Sequence, residues 1–468
     1  MPSNNPDFNS VFEKQKAKSL ELRSSKASER ISKIKALKSW IENNQTVIAE
    51  ALYRDFRKSE TEVKISEIMP VISEARFIVK NLKAWMAPKS VSVPLLFLGT
   101  SNKLLAQPKG NALIISPWNY PLLLALKPLM AAIAAGCTAI IKPSELTPNT
   151  SDLLHRMIEE LFPEDEVCVF TGGAETAIAL QKLPFNHVFF TGSPAVGKLV
   201  MKAASEHLAS VTLELGGKSP CVVDSGVNLK AAAKKIAFGK FLNAGQTCIA
   251  PDYILVKEDL KEPFIQTLKD AFENLSKTEY QNNNDFCRII NEKHFERIDS
   301  LIDKSVQEGA SIVYGSEKEQ SDCFIPPTIL TDINLNMPLM EEEIFGPVLP
   351  VLTYENFDEA INLINQGEKP LAIYMFGGSS ATKKALEQKT SSGPIVHNDF
   401  GIQFIYHGVP FGGINNSGIG VSGGYEGFLE FSHLKPVIKN HFNPSSIFYP
   451  PYTPKVKKLL NFAMKYLA

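Results

Sequence analysis

The chain has 468 residues, too many for one hydrophobic core, so two or three lobes are expected. Its 44% hydrophobic and 21% charged residues are ordinary for a globular chain, and a net charge of −1 offers no global field for nucleic acid or an anionic membrane. Six scattered cysteines, none in a CxxC pair, argue against a zinc cage or a dithiol redox motif and suit a reducing compartment, so no metal is expected.

The N-terminal stretch is polar, lacks the apolar core of a secretory signal, and leaves cytoplasmic residence as the default expectation. Residues 10–86 are predicted helical, with Ile31, Ile34, Leu37 and Ile41 at the spacing of one helix face. The stretch Pro88–Gly99 is predicted extended, and residues 100–107 are expected to pair with it as a hairpin. Apolar runs then alternate with helical patterns. Strands are predicted at Ala112–Ser116, Thr138–Ile141, Val167–Thr171, His187–Thr191 and Val211–Leu215. Helices are predicted between them, one opening at Pro128 and closing at Gly136, others from Ala174 and Pro194. This alternation predicts βαβ crossovers and a mostly parallel sheet. A second α/β region begins near Leu229, with strands at Tyr253–Val256, Ser311–Tyr314, Val348–Thr353 and Ala372–Phe376 and helices near 230–242, 259–275, 291–308 and 357–365. The chain ends in a Pro/Tyr-rich tail with a short basic amphipathic segment.

Candidate chemistry gathers in short motifs. Cys248 ends Gly245-Gln246-Thr247-Cys248, where Gly245 allows close backbone approach to a ligand. On its own a cysteine reads as a small buried apolar residue, and the other five keep that reading. Glu214 sits between two leucines at a predicted strand end, before Gly216-Gly217, where partial desolvation raises its pKa toward that of a general base. Phe190-Thr191-Gly192-Ser193 ends a strand and opens the helix carrying Gly197, a turn able to hold a pyrophosphate or simply a tight strand-to-helix turn. Asn119, between two prolines, can donate an amide to an oxyanion or serve only the turn. Lys142, at a strand end, can grip a ribose or phosphate or remain solvated.

Together these residues carry a pattern. Pro117-Trp118-Asn119-Tyr120-Pro121, Lys142-Pro143-Ser144-Glu145, Phe190-Thr191-Gly192-Ser193, Leu213-Glu214-Leu215-Gly216-Gly217-Lys218, Gly245-Gln246-Thr247-Cys248 and Glu343-Ile344-Phe345-Gly346-Pro347 resemble the aldehyde dehydrogenase superfamily in order and spacing. The phrases Cys248–Tyr253 and Pro410–Gly413 with Asn416-Ser417-Gly418 resemble its class 3 branch, which favours fatty and aromatic aldehydes. The likeness covers residues 8 to 440.

The resemblance implies a Rossmann-like NAD(P)-binding domain (1–92 and 108–214) and a second α/β catalytic domain (215–395). It also implies a small β bridging or oligomerisation element (93–107 and 396–440), ahead of the tail 441–468. By resemblance, Cys248 is the nucleophile, Glu214 the base that activates hydrolytic water, and Asn119 the oxyanion-hole amide beside the Cys248 N–H. Lys142 and Glu145 match residues near the adenosine ribose, Gly192, Ser193 and Gly197 the cofactor turn, and Glu343 and Phe345 the nicotinamide ribose and ring contacts. Asn415 departs from an expected Gly, and Gly393-Pro394-Ile395 from an expected second Gly, so substrate preference is what these departures touch.

The expected reaction oxidises an aldehyde to a carboxylic acid through a Cys248 thiohemiacetal and thioester. The expected cofactor is NAD, with NADP as the second option, because Glu145 would repel a 2′-phosphate. Two other readings stand beside it. A cysteine esterase or thioester hydrolase would normally want a His base, and a non-catalytic scaffold has no use for intact Cys248, Glu214 and Asn119. A homodimer is expected by resemblance, and nucleic acid is not an expected partner. Phe400, Phe404 and Ile405 hint at an apolar substrate. In the tail, Val456, Leu459, Leu460, Ala463 and Leu467 share a helical face, expected to dock on protein rather than on a membrane.

Overall fold

The computed structural model describes residues 7–276, 278–442, 446 and 448–466. Helices Phe8–Leu22, Ala27–Asn43 and Gln45–Phe56 lead into a long helical run from Glu60 to Trp85. The run is broken by a π-turn at Lys64–Ile68, just before Pro70, whose ring and missing N–H disturb the regular ladder. Ile34, Leu37 and Ile41 are fully buried, as their spacing predicts.

A six-stranded sheet follows in the order Gly418–Ile419, Ser210–Leu215, His187–Gly192, Asn111–Ile115, Thr138–Lys142, Val167–Val169. All pairings are parallel except that of Gly418–Ile419 at the edge. Side chains alternate between two cores. Ala112 and Ile114 face the one that includes the helix Leu123–Ala135, whereas Leu113 and Ile115 face the one with Val188 and Phe190. The strand order reverses between Asn111–Ile115 and His187–Gly192. Their carboxyl ends therefore open the crevice where ligands collect in such sheets.

The second sheet has seven strands in the order Ser311–Tyr314, Thr328–Thr331, Val348–Tyr354, Tyr253–Lys257, Pro220–Val223, Ile373–Phe376, Ile395–His397. A third sheet joins Lys89–Val91, Thr100–Pro108 and Ser432–Asn440. The expected hairpin is there with three residue pairs, but the main partner of Thr100–Pro108 is Ser432–Asn440, with nine. Within 396–440 only that last strand joins the small sheet. Gly418–Ile419 pairs beside Glu214 and Leu213, and the helix Gly424–Glu430 packs on Leu123–Ala135.

Pro128 does not open its helix. The helix begins at Leu123, because the Glu67 carboxylate accepts the Leu123 N–H at 2.8 Å, and Pro128 lies inside it. Gly136 closes it with φ 89°, as expected. The tail forms a helix, Pro454–Tyr466, with Ala463 buried but Leu459 and Leu460 exposed, so most of the expected docking face meets nothing in this chain; Leu467 lies outside the described residues.

Candidate active site

The two large sheets meet around Cys248. Glu214 is the next-to-last residue of its strand, with Thr191 and Gly418 as neighbours, while Cys248 lies in the turn leading to the strand Tyr253–Lys257. Cys248 and Glu214 line one cavity, together with Leu124, Lys127, Thr191, Phe404, Phe411 and Ser422. Burial raises Glu214 to about 8, with Glu430 adding to it and Lys127 and Ser422 opposing. Neither Glu214 oxygen makes a hydrogen bond of normal geometry among the described residues. The Cys248 thiol is only partly accessible. Burial pushes it above its usual range, and the Glu343 and Glu214 carboxyls push further. It therefore rests as a neutral thiol and needs a base to become a nucleophile.

The turn before Cys248 is strained. Asn243, Ala244 and Gly245 have φ of 55°, 49° and 70°, the left-handed region that costs non-glycine residues about 1 kcal/mol or more each. A side chain at Gly245 would fall on the Gly346 carbonyl, so this glycine admits another segment of the chain, not a ligand as expected. The strain is held by buried bonds. Glu62 accepts the Asn243 N–H at 2.8 Å, Gln246 donates to the Asn243 and Arg288 carbonyls at 3.0 Å each, and Gln246 Oε1 accepts from Ile290 N–H at 3.0 Å.

Asn119 belongs to the same network. Its Nδ2 donates to the Gln246 carbonyl at 3.0 Å, leaving the second amide hydrogen for a ligand. Its own carbonyl accepts from Lys58 Nζ at 3.2 Å and Asn243 Nδ2 at 2.9 Å. Lys58 is fully buried, pairs with Glu67 at 3.1 Å and sits 4.1 Å from the centre of the Tyr120 ring; the Tyr120 and Thr247 hydroxyls are 2.6 Å apart. Lys58, Glu62, Glu67 and Asn243 are absent from the sequence-based candidates. Lys58 and Glu62, four apart, read as a solvated helix face, and nothing local marks them as buried. Lys127 is also absent, although a lone lysine within the apolar run Leu122–Ala135 is a readable signal.

The remaining candidates on the six-stranded sheet stand at or just beyond the carboxyl ends of Thr138–Lys142 and His187–Gly192, while Glu343 and Phe345 come from the second lobe. Ser193 caps the helix Pro194–Ser205, while the nearby residues Ile178, Val196 and Leu199 leave apolar surface exposed. Gly197 turns inward instead, where a Cβ would stand 2.7 Å from Leu215, so it serves close helix–sheet packing. Buried Lys142 pairs with half-exposed Glu145 at 2.7 Å. A side chain at Gly216 would collide with the Glu343 carboxylate, which burial and Asp252 raise to about 8 against the pull of the Gly217 N–H. Phe345 packs edge-on against Trp118, with ring centres 5.3 Å apart. A capped helix N-terminus, bare glycine backbone and exposed apolar surface at a strand-order reversal together fit a dinucleotide. Of the apolar substrate candidates, Phe404 lines the cavity, Phe400 packs on Tyr374, and Ile405 is exposed. Asn415 adopts φ 56°, a conformation asparagine tolerates better than most residues, so it meets the need expected of a glycine there. No cluster of three metal-ligating side chains occurs among the described residues, and no helix among them is long and apolar enough to cross a membrane.

The model of the aldehyde dehydrogenase family matches residues 2–437. Aldehyde dehydrogenase family 3 member A2 of Pongo abelii is 40% identical over 425 residues, covering 90% of this chain and 87% of the relative. The 4,4'-diaponeurosporen-aldehyde dehydrogenase of Staphylococcus aureus is 41% identical over 459 residues, 97% of each. Among solved structures, the substrate-bound state of Staphylococcus aureus AldH superposes with a TM-score of 0.93 at 40% identity, covering 98% of this chain and 100% of that one. The Mycobacterium tuberculosis aldehyde dehydrogenase complexed with NAD+ superposes with a TM-score of 0.85 at 28% identity, covering 93% and 90%. The chain belongs to the aldehyde dehydrogenase family and is an NAD(P)-dependent enzyme that oxidises aldehydes.

Proposed function

We propose that Cys248 is the nucleophile, Glu214 the general base and Asn119 the oxyanion donor of this oxidation. The observation that carries the reading is that Cys248 and Glu214 line one cavity while Asn119 is tied to the Cys248 turn through Gln246. A carboxyl near 8 takes a proton from water far better than an ordinary carboxylate does. Cys248 releases its proton to solvent and attacks the aldehyde carbon as the thiolate, and the oxyanion meets the Asn119 amide and the Cys248 N–H. Bound NAD(P)+ supplies the hydride acceptor. Water deprotonated by Glu214 then hydrolyses the thioester.

For the cofactor we assign Gly192 and Ser193 to the phosphates, Lys142 and Glu145 to the adenosine ribose, and Glu343 and Phe345 to the nicotinamide end. Gly197 lets the helix Pro194–Ser205 approach the sheet closely enough for this. Exposed Glu145 supports NAD, with NADP as the weaker option. The apolar cavity wall, and the 4,4'-diaponeurosporen-aldehyde named for the Staphylococcus aureus relative, support an apolar aldehyde as substrate. We further infer a homodimer joined through the three-stranded sheet, with the exposed face of the tail helix meeting the partner subunit. Six free cysteines support a reducing, cytoplasmic setting.

A stopped-flow burst assay with hexanal and NAD+ tests the assignment. The Cys248→Ala enzyme gives no reduced cofactor yet still binds NAD+. Glu214→Gln gives a burst near one per site, followed by turnover slowed by about 10²-fold or more. Turnover by Cys248→Ala, or equal slowing of both phases in Glu214→Gln, overturns the respective role.

A further inference from the structure

The helix Leu123–Ala135 is apolar except for Lys127, and Lys127 lines the cavity that holds Cys248 and Glu214. The side chain is buried. Its Nζ lies 3.9 Å from the centre of the Phe404 ring and 5.7 Å from that of Phe411, and donates to the Phe404 carbonyl at 3.4 Å. A methyl group at Gly423 would stand 3.0 Å from Lys127 Nζ and 3.8 Å from Glu74 Oε2, so the missing side chain there lets ammonium and carboxylate share one small space.

Glu74 is hydrogen-bonded through one oxygen and lies beside His407 with the other. Its Oε2 is 2.7 Å from His407 Nδ1, its Oε1 accepts the Gly424 N–H at 2.8 Å, and His407 Nε2 lies 2.7 Å from the Ser73 hydroxyl. Burial works against the Glu74 carboxylate, yet His407, Lys127 and the Gly424 N–H hold it below its usual range, so it stays charged. Glu214, the other anion whose field reaches Lys127, makes no such bonds. The groups that face Glu214 are Lys127, Ser422, Cys248 and, from the helix Gly424–Glu430, Glu430, whose Oε2 accepts the Thr212 hydroxyl at 2.6 Å. Lys127 is the cation in that set. A buried ammonium is costly unless anions and aromatic faces compensate it, and here one compensating anion is fixed while the other faces the reaction.

We propose that Lys127 is the positioning residue of the general base: its ammonium, fixed by Phe404 and the Glu74–His407 pair, holds Glu214 as a carboxylate ready to accept a proton from the hydrolytic water. This rests on the reading of Glu214 as the base. In the step it serves, Glu214 takes one proton from water as the water oxygen bonds to the acyl carbon. The carbon–sulfur bond then breaks with its electron pair on the Cys248 sulfur. The proton held by Glu214 passes to that sulfur, and the carboxylic acid departs. No oxidation occurs in this step. Burial lowers Lys127, Glu74 and Glu214 hold against it, and the ammonium exchanges no proton in this step.

The experiment follows acyl-Cys248 by acid quench and mass spectrometry after one turnover of hexanal with NAD+, at a series of pH values. In the wild type the decay rate rises with pH through about 8 and levels off above it, since Glu214 must be ionised to act. Lys127→Met moves that midpoint upward by roughly one to three pH units, the usual effect of losing an opposite charge at this range. Lys127→Arg keeps it near the wild-type position. Glu74→Gln moves it the other way, downward, because the anion whose field offsets that of Lys127 at Glu214 is removed. A purely structural lysine would lower amplitudes without producing opposite displacements. An unmoved midpoint in Lys127→Met, or an upward move in Glu74→Gln, overturns the proposal. If Lys127→Met forms no acyl-enzyme, Lys127→Gln and Glu74→Gln decide in the same way. Unimpaired decay in Glu214→Gln overturns the base assignment instead, and is read separately from the Lys127 series.

Discussion

Two buried polar clusters flank the reaction cavity, and they are built on opposite principles. On the Asn119 side, Lys58, Glu67, Asn243 and Gln246 are joined by direct bonds of 2.8–3.2 Å to each other or to the backbone of the Asn119 and Cys248 turns. On the Glu214 side, both carboxylate oxygens lack such partners, and the nearest charges act through space. A satisfied network fixes geometry but resists changes of protonation, because every proton is already committed. An unsatisfied carboxyl is expensive to bury, yet it is free to take a proton and give it up. Under the roles proposed for Asn119 and Glu214, the rigid kind stands behind the oxyanion donor, where position matters, and the bare kind where a proton must move.

Breaking the satisfied cluster has the largest expected effect. Lys58→Met leaves Glu67 buried without its cation and leaves the Asn119 carbonyl with Asn243 Nδ2 as its donor. Removing one partner of a buried pair typically costs about 3–5 kcal/mol. Denaturant unfolding of the variant measures this, and a loss below about 1 kcal/mol would show that Lys58 contributes little to holding the Asn119 turn.

Glu62 sharpens the comparison because, like the Asn243 side chain, it is only half satisfied, and it can titrate. One oxygen accepts the Asn243 N–H, while the other has no partner. Burial raises it from 4.5 to about 7, against the opposing pull of Lys58 and the Asn243 N–H. The sign follows from proton counting. Between 4.5 and about 7 the folded chain binds this proton more tightly than the unfolded chain does. The contribution is fully present below the unfolded value and is lost as pH rises through about 7. Glu62→Gln cannot ionise, so its stability should fall less than that of the wild type between pH 5 and 8, an order-of-magnitude window around the shifted value. Parallel stability profiles for the two proteins would remove Glu62 from this account.

The same contrast explains what was legible in the sequence. The strands Asn111–Ile115, Thr138–Lys142 and His187–Gly192 are buried on both faces and read as apolar runs. The helix Ser380–Lys389 is polar with only Leu386 buried, and the strand Thr328–Thr331 is four residues long, so neither carries a usable period. Cys248, Glu214 and Asn119 stand in short motifs whose chemistry is local and therefore readable. Lys58, Glu62 and Glu67 act through backbone atoms some 60 to 180 residues away, and no local pattern announces such contacts.

A third ion pair, at the rim, gives the smallest expected effect. Lys142 is buried, but the Glu145 side chain it holds is 47% exposed. One Glu145 oxygen is engaged by Lys142 at 2.7 Å, leaving the other for the ribose hydroxyl proposed to bind there. The carboxylate would also repel a 2′-phosphate, but water and salt screen a charge this exposed, and such pairs are worth about 0–1 kcal/mol. Glu145→Gln keeps a hydrogen-bonding group and deletes the charge. Repulsion falls, and Lys142, no longer neutralised, becomes more attractive to a phosphate. The ratio of kcat/KM for NAD+ to that for NADP+ should therefore narrow, by less than about tenfold, the equivalent of 1.4 kcal/mol. The narrowing should itself shrink as ionic strength rises, because the interaction being removed is screened. A ratio that does not move at low salt would place cofactor discrimination elsewhere in the crevice. A change well beyond tenfold would mean that Glu145 becomes buried against the bound cofactor and joins the desolvated class that Glu214 represents.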